Sequence, residues 1–105
     1  MAAIRVVSTR QFDRWLDRLR DARAYQIIAK RMRRLAEGHV GASRSLGGGV
    51  SELKIDFGPG YRLYYTRRGA TVVWLLCGGD KSTQDTDIVL ACKLSATIAG
   101  GDDGN

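Results

Sequence analysis

The sequence is short of the residues that build metal centres and disulfide frameworks. In 105 residues it has two cysteines, Cys77 and Cys92, and one histidine, His39. The thiols fall in a strand pattern and a helix pattern, where buried free thiols are expected rather than a bridge or a metal pair. His39 lies in a glycine-flanked loop without ligand-type neighbours. No metal and no cofactor is therefore expected. Long apolar runs are missing too: the longest, Val72–Cys77, falls far short of the ~20 residues a bilayer crossing needs. The opening MAAIRVVSTR has no apolar core of the signal-peptide kind. A cytoplasmic protein with no membrane-spanning part is the expectation. Acidic residues are scarce at one end. Residues 1–68 hold 15 Lys/Arg against 6 Asp/Glu and residues 69–105 hold 2 against 5, for a net charge of +6. Such asymmetry points to an anionic partner, whether nucleic acid, an acidic protein or a membrane surface; the alternative is a solvated basic face with no partner.

What is present is organised around Ser51–Gln84. Ser51–Phe57 alternates, with Leu53, Ile55 and Phe57 on one side and Glu52, Lys54 and Asp56 on the other, the period of a half-buried strand. Gly58-Pro59-Gly60 breaks it, and the aromatic stretch Tyr61–Arg67 reads as the return strand. A hairpin closed around those three residues pairs Phe57 with Tyr61, Asp56 with Arg62 and Lys54 with Tyr64. That register gathers Lys54, Asp56, Arg62 and Tyr64 on one face, opposite Leu53, Ile55 and Leu63.

Upstream, Ala3–Val7 is a short strand candidate. Thr9 can cap a helix with Phe12, Trp15, Leu16 and Leu19 at helical spacing. Asp21 can cap a second helix to about Glu37, with Gly38 as the stop and Tyr25, Ile28, Met32 and Leu35 as its buried stripe. Two helices joined so tightly are expected to pack as an antiparallel hairpin. Lys30, Arg31, Arg33 and Arg34 lie on or beside the outer face, either as nucleic-acid contacts or as a solvated surface. Residues 38–49 read as a long glycine- and serine-rich loop.

Downstream, Thr71–Cys77 is apolar at nearly every position, so this strand should be covered on both faces. The N-terminal helices can cover one; a C-terminal helix or a partner must cover the other. After Gly78-Gly79, Ser82 can cap a helix with Asp85 at its third position, presenting Ile88, Leu90, Ala91, Cys92, Leu94 and Ile98 as a broad apolar face. Asp80 stands where a phosphate-binding loop needs the glycine before its lysine, which excludes that motif. Lys81 and Ser82 at a helix start still make a candidate anion contact. One domain, residues 1–98, followed by a disordered acidic tail, 99–105, is the expected organisation.

The segments Phe12-x-x-Trp15-Leu16, Gly49–Ile55 (GVSELKI), Gly58–Tyr65 (GPGYRLYY) and Gly78–Gln84 (GGDKSTQ) resemble the HigB-like branch of the RelE/ParE toxin superfamily. That branch is often described as phage-derived or addiction module killer proteins. The resemblance runs from about Ala3 to Ile98. It implies a compact α+β, RelE-like fold, an antiparallel sheet with an N-terminal helical hairpin and a C-terminal helix. It also implies the toxin of a type II toxin–antitoxin system, a metal-independent endoribonuclease (mRNA interferase) that cuts messenger RNA on the ribosome. The partner implied is a cognate antitoxin with a helix-turn-helix DNA-binding domain. Lys54 and Arg62 match the functional lysine and arginine of the central hairpin, and Lys81 matches a basic residue after the last strand. Glu52 stands where some members have a second lysine, and Asp87-Ile88 stand near an aromatic or histidine of other branches.

Cleavage without a metal uses the 2′-OH as internal nucleophile, so the protein positions the chain and stabilises charge on the phosphate. An arginine is always charged and offers a bidentate fork, which makes Arg62 a phosphate clamp and not a base. A lysine is overwhelmingly protonated near neutral pH, so Lys54 is an electrostatic contributor first. The expected catalytic set is Arg62, Lys54 and Lys81; the expected RNA contacts are Lys30, Arg31, Arg33, Arg34, Tyr64 and Ser82. Two other readings use the same residues: a ParE-like DNA gyrase inhibitor without catalysis, and a non-catalytic phage-derived binding module.

Overall fold

The structure, a computed structural model, describes residues 4–100. The elements are β1 (Arg5–Ser8), α1 (Arg10–Asp17), α2 (Ala22–Ala36), β2 (Ser43–Gly47), β3 (Val50–Ile55), β4 (Tyr61–Arg68), β5 (Val72–Gly79), a single 3₁₀ turn (Lys81–Thr83) and α3 (Gln84–Gly100). The five strands form one mixed sheet in the order β1-β5-β4-β3-β2. Neighbours are antiparallel except β1, which runs parallel to β5 from Arg5 opposite Val72 to Ser8 opposite Leu75.

The alternation along β3 and β4 divides the side chains between two layers. Leu53, Ile55, Tyr61, Leu63 and Tyr65 join Val73 and Leu75 under α1 and α2, where Phe12, Ala24, Ile28 and Leu35 are buried. Val50, Tyr64, Leu76 and Cys77 face α3 through Ala91, with Ile88, Leu94 and Ile98 packed alongside. The doubly apolar β5 is thus covered on both faces, as its sequence requires, and α3 supplies the second cover. A bulge opposite Tyr64 and Tyr65 turns both Leu76 and Cys77 toward the α3 layer. Arg68 ties that layer down, donating from Nη2 to the Ser95 carbonyl at 2.9 Å and from Nη1 to Thr66 Oγ1 at 3.0 Å.

Thr9 and Asp21 cap α1 and α2 as their side chains allow, Thr9 accepting from the Phe12 N–H and Asp21 from those of Arg23 and Ala24. α1 packs on β5 and α2 on β1, so each helix meets the sheet more than it meets the other. Several expectations are corrected. Tyr25 is 44% exposed; Ala24 takes its place on the buried side of α2. Residues 43–47 form an edge strand inside the stretch expected to be loop. Its residues are nearly all exposed and so carry no alternation for a reader to detect. The last helix is preceded by a 3₁₀ turn capped by Asp80, not Ser82: Asp80 accepts from the Ser82 N–H, and Thr83 closes the capping box. Val89, Leu90 and Cys92 lie on the exposed side of α3, and Cys77 alone of the two thiols is buried. Burial pushes the Cys77 thiol up to about 12. Of the expected tail, residues 99 and 100 continue α3, and 101–105 lie outside the described residues, as does Ala3 at the start of the expected first strand.

The Gly78-Gly79 pair is explained by close approach from both sides. A Cβ at Gly78 would run into the Trp15 ring, and one at Gly79 into the Asp87 carboxylate and Thr83 hydroxyl. Gly78→Ala is therefore expected to cost about 1–3 kcal/mol by overpacking. For a domain of this size that lowers the melting temperature by roughly 4–8 °C per kcal/mol. A thermal melt followed by circular dichroism checks it, and an unchanged midpoint would show that Trp15 moves aside freely.

Candidate functional site

The central hairpin is two residues out of the expected register. Lys54 pairs with Arg62, Ile55 with Tyr61 and Glu52 with Tyr64. The cause is the connection: β3 stops at Ile55, and the five residues Asp56–Gly60 make the turn, with Gly58 and Gly60 at positive φ. A shift of two preserves the faces, so Lys54, Arg62 and Tyr64 do share one. Asp56 leaves the sheet, and Glu52 becomes the carboxylate of that face.

Glu52 is the centre of the site. It is 4% exposed and accepts three hydrogen bonds: from Arg44 Nε at 2.8 Å on Oε1, and from Gln84 Nε2 at 2.8 Å and the Tyr64 hydroxyl at 3.1 Å on Oε2. Arg62 Nε stands 3.7 Å from the same Oε2. Burial pushes the Glu52 carboxyl up, but the donors from Arg44, Gln84 and Tyr64 outweigh it and hold it below the ordinary carboxylate value. Burial also pushes the Tyr64 phenol up, here far above its ordinary value, and the neighbouring Glu52 charge adds to the effect. Glu52 is therefore ionised and Tyr64 protonated at neutral pH. The two form a fixed pair rather than a proton relay.

Arg62 is 7% exposed. Its Nη1 donates to the Gly60 carbonyl at 2.7 Å, Nε is buried without a hydrogen bond, and Nη2 has no protein partner among the described residues. A Cβ on Gly60 would lie 3.2 Å from Arg62 Nη1 and 3.7 Å from Lys81 Cβ, so Arg62 and Lys81 flank this glycine. Lys54 and Lys81 are both exposed. An open cleft of about 400 Å³ is bounded by Ser43 and Arg44 from β2, Glu52 and Lys54 from β3, Arg62 from β4 and Gln84 from α3. Three cations around such a cleft, Arg44, Lys54 and Arg62, make a site for an anion.

The other expected contacts divide. Tyr64 is fully buried with its hydroxyl spent on Glu52, which removes it from any surface an RNA would touch. The Ser82 N–H and hydroxyl both donate to Asp80 Oδ1, at 2.8 and 2.6 Å, so the anion site expected at that helix start is occupied by the chain's own carboxylate. Arg31 reaches across to the Lys54 carbonyl and the Val40 carbonyl, 3.3 Å each, tying the loop after α2 to the cleft rim. Lys30, Arg33 and Arg34 are exposed, and Arg33 borders a groove with Leu16, Tyr25 and Met32. Arg44 and Gln84 are the functional candidates the sequence did not disclose. Arg44 sits in the strand mistaken for loop, and Gln84 within the GGDKSTQ block. Among the described residues no helix is long and apolar enough to cross a membrane.

The chain matches the family model described as "Phage derived protein Gp49-like (DUF891)" over residues 10–91. It is also 47% identical over 95 residues to an uncharacterized protein of Haemophilus influenzae, an alignment covering 90% of this chain and 96% of that protein. The matched span includes α1, the whole cleft and the first half of α3.

Proposed function

Because the chain belongs to the Gp49-like family of phage-derived proteins, a toxin–antitoxin-associated family related to the RelE-like toxins, we propose that it is the toxin of a type II toxin–antitoxin pair, built on the RelE-like fold in its HigB-like branch. Its action is ribosome-dependent cleavage of messenger RNA in the bacterial cytoplasm. The 2′-oxygen attacks the adjacent phosphorus, the bond to the 5′-oxygen breaks, and the 2′-proton is lost as the leaving oxygen gains one. The observation that carries this reading is Arg62, a guanidinium held at its Nη1 by Gly60 with Nη2 left without a protein partner among the described residues, in a cleft it lines together with Arg44 and Lys54. Fixed donors of this kind stabilise charge that grows on the phosphate oxygens without reorganising at the moment of reaction. The ribosome supplies the orientation of the substrate that an open cleft does not.

One observation favours the ParE-like gyrase inhibitor or a binding module instead. Glu52 in the cleft and Tyr64 buried behind it are both displaced away from neutrality, so neither is suited to proton transfer at neutral pH. Controlled expression in a bacterium separates the readings. New 5′ ends in translated messages are expected; altered DNA supercoiling in the same culture would indicate the gyrase inhibitor, and neither change a non-catalytic module. Co-expression with a neighbouring antitoxin is expected to restore growth.

The basic helix has its own test. Lys30 and Arg34 are exposed, and each phosphate they neutralise releases a counterion. The double substitution Lys30→Ala, Arg34→Ala is expected to flatten the salt dependence of ribosome association, each lost contact lowering the log–log slope by about 0.7–0.9. A slope identical to the native one would return these residues to the role of a solvated face. Arg31 is left out because its substitution would also release the loop it holds.

A further inference from the structure

Glu52 is an unexpected group in a cleft built for an anion, and it fixes the hydrogen-bonding polarity of the cleft wall. An ionised carboxylate only accepts. Gln84, bound to it through Nε2 at 2.8 Å, must therefore turn its NH₂ group inward and keep its carbonyl oxygen as the free acceptor. Arg44 binds the same carboxylate through Nε at 2.8 Å, with its side chain 61% exposed, and its two Nη groups have no protein partner among the described residues. The wall thus offers a pair of donors and an acceptor, in a cleft of about 400 Å³, within the ~300–1,000 Å³ usual for small-ligand sites.

We propose that this cleft is a base-binding subsite that selects guanine or cytosine over adenine or uracil. Arg44 and Gln84 read the base, and Glu52 is the positioning residue for both. The proposal rests on the ribonuclease reading for the nature of its ligand, single-stranded RNA, whose unstacked bases expose their edges. Guanine presents N7 and O6 as adjacent acceptors followed by the N1–H donor; cytosine presents O2 and N3 followed by its amino group. Both match two donors and an acceptor. Adenine and uracil alternate donor and acceptor along their edges, so at least one group of the wall always meets its like. Unpaired polar groups of that kind separate ligands far better than shape does.

The test is equilibrium binding of dye-labelled ribotrinucleotides UGU, UCU, UAU and UUU to the full chain, read by fluorescence anisotropy at one salt concentration. UGU and UCU are expected to bind about 10-fold or more tightly than UAU and UUU. Arg44→Lys keeps the charge but loses the fork, on an exposed edge strand where folding tolerates it. It should shrink that gap to about twofold or less. Gln84→Leu should shrink the gap as well. Equal binding of all four trinucleotides, or a gap that survives both substitutions, overturns the proposal. The two ideas fail separately: base-selective binding without new 5′ ends in messages removes the nuclease and leaves the subsite, and new 5′ ends with unselective binding do the reverse.

Discussion

Arg62→Ala and Arg62→Lys are both expected to lower message cleavage by at least about 10²–10³-fold, the usual cost of removing one fixed donor from a site of developing negative charge. The lysine variant is the sharper of the two. It keeps a positive charge in the cleft but cannot hold Gly60 with one nitrogen while presenting a second to a phosphate. The expected pairing of Asp56 with Arg62 across the hairpin does not form, because the register partner of Arg62 is Lys54. Asp56→Ala is accordingly expected to cleave at close to the native rate. Cleavage is measured by primer extension on a translated message, and a thermal melt of each variant guards against unfolding. Native-like cleavage by Arg62→Lys would make Arg62 structural.

The second large effect concerns stability. Glu52→Ala removes the acceptor of three hydrogen bonds and leaves Tyr64 and Arg62 buried without it. Breaking a buried charged cluster by deleting one partner costs about 3–5 kcal/mol, which for a domain of this size lowers the melting temperature by at least about 10 °C. Arg44→Ala, removing the exposed partner of the same carboxylate, is expected to change it little. The contribution has a pH signature. The folded Glu52 carboxyl lies below its ordinary value, so its stabilisation is complete above the unfolded pKa of ~4.3 and fades as pH falls below it toward the folded value. Glu52→Gln should lose that acid-sensitive portion. Melts at neutral pH and at about pH 3 test this: a native-minus-variant difference that does not shrink in acid would show that the carboxylate is not depressed.

Most of the layered architecture was legible because burial imposes periodicity. The strands β3 and β5, the helices capped by Thr9 and Asp21, and the need for a cover on the second face of β5 all follow from where apolar residues recur. Strand β2 was not legible, since SRSLG has no buried face to write a pattern. The hairpin register was misjudged because GPG looks like a complete turn, whereas the chain uses Asp56 and Phe57 in it as well. That error had a chemical consequence. It made Asp56 the partner of Arg62 and hid Glu52, which reads in the sequence as one more solvent-side charge of an alternating strand. Nothing local to Glu52 announces that residues from β2, β4 and α3 converge on it; only tertiary structure brings Arg44, Tyr64 and Gln84 together.

The parallel pairing of β1 with β5 also sets the order in which the molecule can be completed. Arg5 finds its partner at Val72, and Thr9 donates to the Leu76 carbonyl 67 positions away. At roughly 5–20 residues per second of synthesis, the first strand waits about 3–13 s for the strand that receives it. Until then Phe12 and Ile28 have no finished sheet to pack against, and contacts this distant in sequence are slow to form. Chains stalled on the ribosome before residue 72 are expected to stay sensitive to protease throughout, including at the helices made first; early protection of α1 and α2 would show that they settle before β5 exists. Arg62 enters the chain before β5, but its strand is closed on both sides only afterwards. The cleft, one side of which is Gln84 of α3, is thus incomplete for most of the chain's own synthesis.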